Sequence, residues 1–169
     1  MKKYPSNQER TDEYLKLFNR EKTLKTVVSD YDPIIFDVGA NNGRSLNEFK
    51  AWWPKSEVHC FEPQEECWED LESNASRHNQ TYINKSAISV NEGVINFYVH
   101  DISTGLGGSN KINIDSTDSI YLNQLKDQGD EVISAYTNTI NKPRSVPSLR
   151  IDSYMDKNSL TYLDLLKID

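Results

Sequence analysis

Apolar positions follow two rhythms along the chain. Short unbroken runs, "IIFDVG" from Ile34 and "EVHCFEP" from Glu57, are bounded by turn residues and read as buried strands. Between and after them the spacing lengthens to that of helices. Leu46, Phe49 and Trp53 share one face, and Pro54 closes the pattern. Trp68, Leu71, Ala75 and His78 share one side of "QEECWEDLESNASRH", with Pro63 suited to the first turn and acids where the helix dipole favours them. Upstream, Tyr14, Phe18, Leu24 and Val28 recur at helical intervals behind Thr11, a suitable N-cap. This predicts one leading helix within residues 1–32, broken by Asp32 and Pro33.

Further on, "TYINKSAISV" and "GVINFYVH" predict a third and a fourth strand. Strands alternating with helical patterns predict an α/β domain over residues 33–169: a mostly parallel sheet with right-handed crossovers and helices on both faces. Residues 101–147 break the rhythm, being rich in Ser, Thr, Asn and Gly. They read as a polar insertion with a short helix around "SIYLNQLKD", either a solvated connector or a substrate-facing lid. "SLRIDSYMD" then predicts a strand running into a helix, and "LTYLDLLKID" an apolar strand that reaches Asp169. An interior-type strand at the last residue leads to the expectation of a piece of a longer domain, with carboxyl-terminal strands missing.

Composition narrows the function classes. A net charge of −7 disfavours a broad nucleic-acid footprint, which needs clustered Lys and Arg. No apolar run approaches a membrane span and the start carries no signal-type apolar region, so a soluble cytoplasmic protein is expected. Cys60 and Cys67 lack zinc-type spacing, and His59, His78 and His100 are scattered, so no metal is expected and the thiols receive no role.

The chemistry concentrates where the first strand meets its helix. Ligands of open α/β sheets bind beyond the carboxyl ends of the strands, and Gly39 and Gly43 strip that turn of side chains. Asn41 and Asn42 between them tolerate left-handed backbone and offer amides. Glu62 ends the second strand near the ~20-residue spacing at which an acid accepts hydrogen bonds from both ribose hydroxyls. An adenosine-type ligand follows. The turn G-A-N-N-G lacks the middle glycine of a dinucleotide fingerprint, and no Walker-type loop is present, which favours a ligand without phosphates such as S-adenosylmethionine.

Taken in order, "FDVGANNGRS", "HCFEPQ", "NKSAIS" with "GVINFYV", "LRIDSYM" and "LDLLKID" resemble the FkbM-type family of S-adenosylmethionine-dependent methyltransferases. The resemblance implies a Rossmann-like class I methyltransferase fold acting on an oxygen of a small-molecule, sugar or lipid-like acceptor. By that resemblance Asp37, Gly39, Ala40, Asn41, Asn42 and Gly43 belong to the cofactor turn, with the methionine part lying against it. Glu62 holds the ribose, Ser86 and Ala87 lie near the adenine, and Asp169 sits beside the methionine amine or the transfer centre. Asp169 is favoured as a cofactor contact over a general base, and His100 is a base candidate only by its position after a strand. In the family the K-I-D strand runs on into a V-E-G segment and further strands, and "TGLGGSN" in the insertion is where acceptor choice is expected to reside. Two alternatives stay open: a nicotinamide-dependent oxidoreductase, which shares the strand-end acid, and a non-catalytic binding module on the same fold.

Overall fold

The computed structural model describes residues 6–28, 32–101, 103–115 and 120–169. Helical order begins earlier than Thr11: Ser6 caps α1 (Asn7–Leu17) in a reciprocal capping box with Glu9. The single leading helix predicted from the sequence is two. At Phe18 the backbone turns extended, and the Asn19 side chain accepts the Lys22 N–H to start α2 (Arg20–Val27). A local side-chain cap there competes successfully with continuing the first helix.

From residue 34 the expected alternation appears: β1 (Ile34–Val38), α3 (Arg44–Trp52), β2 (Glu57–Phe61), a 3₁₀ turn over Glu65–Cys67, α4 (Trp68–Ala75) and β3 (Thr81–Asn84). The "TYINKSAISV" stretch splits at Lys85 and Ser86 into β3 and a short β4 (Ala87–Ile88). After β5 (Gly93–Val99) come α5 (Ile120–Asp127) and α6 (Asp130–Thr137), then β6 (Lys142–Leu149), α7 (Ile151–Lys157) and β7 (Leu165–Ile168).

The strands form two sheets. The larger is parallel throughout, in the order β3-β2-β1-β7. Residues on alternate faces of β1 feed two cores, as expected of a strand covered on both sides. Ile35, with Val58 and Cys60 of β2, packs against Leu46 and Phe49 of α3 and Leu71 of α4. Ile34, Phe36 and Phe61 pack against Tyr154 and Met155 of α7.

The smaller sheet, β4-β6-β5, is separate from the mostly parallel sheet predicted from the sequence, which placed these strands in it. β5 pairs antiparallel with β6, from Gly93 opposite Ser148 to Val99 opposite Lys142, while β4 is parallel to β6. Residues 142–147, read from the sequence as part of the polar insertion, are therefore strand. Its inward side carries Val146 onto Ala87, Phe97 and Val99 in a third small core.

Candidate functional site

Chain order reverses at β1, since β2 and β3 extend to one side and β7 to the other. That is the switch point at which open α/β sheets hold ligands. A cavity of about 250 Å³ opens there. Its floor is Gly39, Glu62, Ile168 and Asp169 from the strand ends, and its far wall is Ala87, Ile88, Ile95 and Phe97 from the smaller sheet.

The turn after β1 is pinned from below. The N–H groups of Gly39 and Ala40 both donate to the Phe61 carbonyl, at 2.9 and 3.1 Å. Gly39 has φ +77°, and a Cβ there would stand 3.2 Å from the Asp169 Cβ, so the bare backbone lets the ends of β1 and β7 meet. At Gly43, with φ +84°, a Cβ would lie 3.1 Å from Leu71 Cδ1 and 3.2 Å from Asn74 Cβ. This glycine serves helix packing behind the turn. Asn74 Nδ2 in turn donates to the Asn42 carbonyl at 2.7 Å, and Asn47 and His78 continue that chain of polar contacts.

Glu62 is 2% exposed. Its Oε2 accepts the Asn41 N–H and its Oε1 the Gln64 N–H, each at 2.8 Å. Burial raises its pKa above the ordinary carboxylate value, against the opposing pull of those amides. A carboxylate has about four acceptor positions, so beyond these amides Glu62 keeps capacity for a hydroxyl reaching in from the cavity that it lines.

Of the other residues singled out from the sequence, Gly39, Asn41, Ala87 and Asp169 also line the cavity. Asp37 lies beneath it, fully buried, with Oδ1 2.9 Å from the Lys167 ammonium. Burial raises its pKa in spite of that neighbour. Ala40 faces the α3 core, Asn42 sits on the outer side of the turn, and Gly43 packs on α4. Ser86 is buried just before β4, its Oγ unpartnered among the described residues, and lies outside the cavity lining. His100 is buried too; its Nδ1 accepts the Asn141 N–H at 3.2 Å, and its ring does not line the cavity.

Two contributors were missed in the sequence. Thr104 accepts from Asn41 Nδ2 at 2.9 Å, and its carbonyl accepts from Gln64 Nε2 at 2.7 Å. These bonds strap residues 104–109 over the cavity. Gly107 lies so close to Gln64 that a Cβ would stand 2.8 Å from Nε2. Lys167 is the other: its Nζ donates to the Gly39 carbonyl at 2.8 Å and pairs with Asp37 and, at 2.6 Å, with Asp169. "TGLGG" and the K-I-D motif were the available signals, but neither names its partner across the fold. Among the described residues no group of three or more His, Cys, Asp or Glu side chains is arranged to hold a metal ion.

A parallel sheet with a glycine turn, a strand-end acid and a cavity at its switch point defines a Rossmann-like α/β domain. Residues 37–169 match the methyltransferase FkbM domain, and the chain belongs to that family. It is also 27% identical, over 149 residues, to a protein of Sinorhizobium fredii (strain NBRC 101917 / NGR234) named 2-O-methyltransferase NoeI. That similarity covers 88% of this chain, which spans 57% of the relative's length.

Proposed function

We propose that this domain binds S-adenosylmethionine and methylates a hydroxyl oxygen of a small-molecule or glycan acceptor. The observation that carries the reading is Glu62, a buried carboxylate that lines the cavity with Gly39 and Asp169 and accepts the Asn41 and Gln64 N–H groups with acceptor capacity to spare. The residues present fit such a cofactor. Glu62 would take the ribose hydroxyls, Ala87 with Ile88 and Phe97 an adenine face, and the Gly39 carbonyl with Asp169 the amino-acid end. The cofactor supplies a methyl group made electrophilic by its sulfonium.

What the chain adds is alignment and exclusion of water. The strap from Thr104 covers one side of the cavity, and its fixed contacts to Asn41 and Gln64 hold that wall in register with Glu62. Asp169, which lines the cavity with a side chain 71% exposed, is the group available to take an acceptor proton, although cofactor contact is the better-supported of its two roles. The family and the name of the relative support the methyl-transfer class and an oxygen acceptor. A phosphate-bearing dinucleotide is disfavoured, because the Asn41 side chain, in place of a middle glycine, closes on Thr104 above the turn. A cytoplasmic, non-nucleic-acid setting agrees with two free buried thiols and a net charge of −7.

Isothermal titration of the chain with S-adenosylhomocysteine, NAD and ATP tests the reading, with Glu62→Ala as control. Binding of S-adenosylhomocysteine alone, lost in the variant, is the expected result. Binding of NAD in its place would return the oxidoreductase alternative, and binding of none of the three would leave a fold without the proposed cofactor.

A further inference from the structure

Lys167 stands at the junction of β1 and β7, where the parallel register sets it beside Asp37. Its side chain is 13% exposed; its Nζ donates to the Gly39 carbonyl at 2.8 Å and forms ion pairs with Asp37 Oδ1 at 2.9 Å and Asp169 Oδ2 at 2.6 Å. The two acceptors that also line the cavity, Gly39 and Asp169, keep spare lone pairs directed by the same cation.

Resting on the cofactor reading above, we propose that Lys167 is a positioning residue for the amino-acid end of the ligand: it clamps the Gly39 carbonyl and the Asp169 carboxylate into a matched acceptor pair for an α-ammonium group. Lys167 need not touch the ligand to do so.

The alternative is that Lys167 only balances charge, and the two roles predict opposite signs. A positive charge beside a cation site repels the ligand, so by simple electrostatics its removal tightens binding. That gain is limited by Asp37, a buried carboxyl beside it whose two oxygens have no hydrogen-bond partner among the described residues and whose pKa burial raises. In the double variant Asp37→Asn/Lys167→Met both charges go together, and the local net charge hardly changes. What is left is the loss of the clamp. Asp169 is then held by its backbone N–H on Val38 O, at 3.1 Å, with an exposed side chain free to rotate.

The test uses two probes that share adenosine and a thioether and differ in the amino-acid end: S-adenosylhomocysteine and 5′-methylthioadenosine. Both are titrated into the wild-type chain, Lys167→Met and the double variant Asp37→Asn/Lys167→Met. The double variant removes the unpaired buried acid that destabilises the single one. In both variants S-adenosylhomocysteine should weaken by roughly ten- to a hundredfold, the range of a lost charge-assisted hydrogen bond. Methylthioadenosine, held through Glu62, should change less than about threefold. Parallel weakening of both probes in the well-folded double variant would overturn the proposal, as would unchanged or tighter homocysteine binding. If the wild-type chain binds neither probe, the cofactor reading itself fails and the clamp falls with it, a result distinct from wild-type binding that the variants leave intact.

Discussion

Replacing Glu62 by Gln preserves shape and removes charge, yet the structure says it is not a silent change. Each carboxylate oxygen already accepts a backbone N–H, from Asn41 and from Gln64, at 2.8 Å. A glutamine offers one acceptor oxygen and an NH₂ group with none, so in either orientation one backbone N–H faces another donor. Leaving a buried N–H unpaired costs about 1–3 kcal/mol. Working against this, burial penalises the Glu62 charge, and a neutral side chain recovers part of that penalty. The lost acceptor should win, because a neutral glutamic acid would still accept with both oxygens and glutamine does not. A net loss of about 1–2 kcal/mol lowers the melting temperature by about 2–8 °C in a domain of this size. Calorimetry at pH 7 reads that shift, and titration with S-adenosylhomocysteine should show at least about tenfold weaker binding for one lost ribose hydrogen bond to a charged group. A variant that melts within a degree of wild type and binds equally well would refute both assignments of this carboxylate, to the turn and to the ribose.

Three further outcomes are expected. Gly43→Ala should destabilise the domain by about 1–4 kcal/mol, the sum of left-handed strain and of crowding on Leu71 and Asn74, less the entropy gained in the unfolded chain; a urea titration equal to wild type would contradict the packing argument. His59 is buried between Tyr154 and Glu57, with Nδ1 2.7 Å from the tyrosine hydroxyl, and burial pushes its pKa below the ordinary histidine value against the Glu57 hydrogen bond. Its folded pKa being lowered, its share of stability is complete above pH 6.5 and is lost as the pH falls below that value, by at most about 1.4 kcal/mol per pH unit. His59→Phe should flatten that acid limb in urea melts between pH 7 and 5, and parallel limbs would refute it. Burial also pushes the Cys67 thiol up to about 11 and raises Cys60 further, so at pH 8 neither should react with an aromatic disulfide reagent until denaturant is added; rapid labelling of the folded chain would overturn this.

The parallel sheet was legible because Ile34–Val38 and Glu57–Phe61 are short, apolar and fenced by turns, and because α3 keeps a clean apolar stripe. The smaller sheet was not. Its central strand carries Pro143 and Pro147, residues that argue against a ladder, and they are accommodated opposite Tyr98 and Val94 of β5 while β4 pairs on the other side with Ser148 and Leu149 alone. The break between α1 and α2 was hidden because Asn19 is only locally decisive. At the site, Gly39 and Glu62 could be read from order and spacing along the chain. Thr104 and Lys167 could not, since their partners lie 63 and 128 residues away and nothing local encodes the pairing.

The pairing of Val99 with Lys142 has a consequence for how this fold can diversify. Residues 100–141 leave and return at facing positions of neighbouring strands, about 5 Å apart, and the Asp101–Lys142 ion pair and the Asp101 N–H on Thr139 O close the neck. Such a stretch can be lengthened at little thermodynamic cost, about 0.6 kcal/mol for each doubling. Its first residues form the strap on Asn41 and Gln64. The domain thus has a natural grafting port: a change of length or sequence inside this stretch, between the strap and Thr139, would leave Gly39, Glu62 and Lys167 in their places.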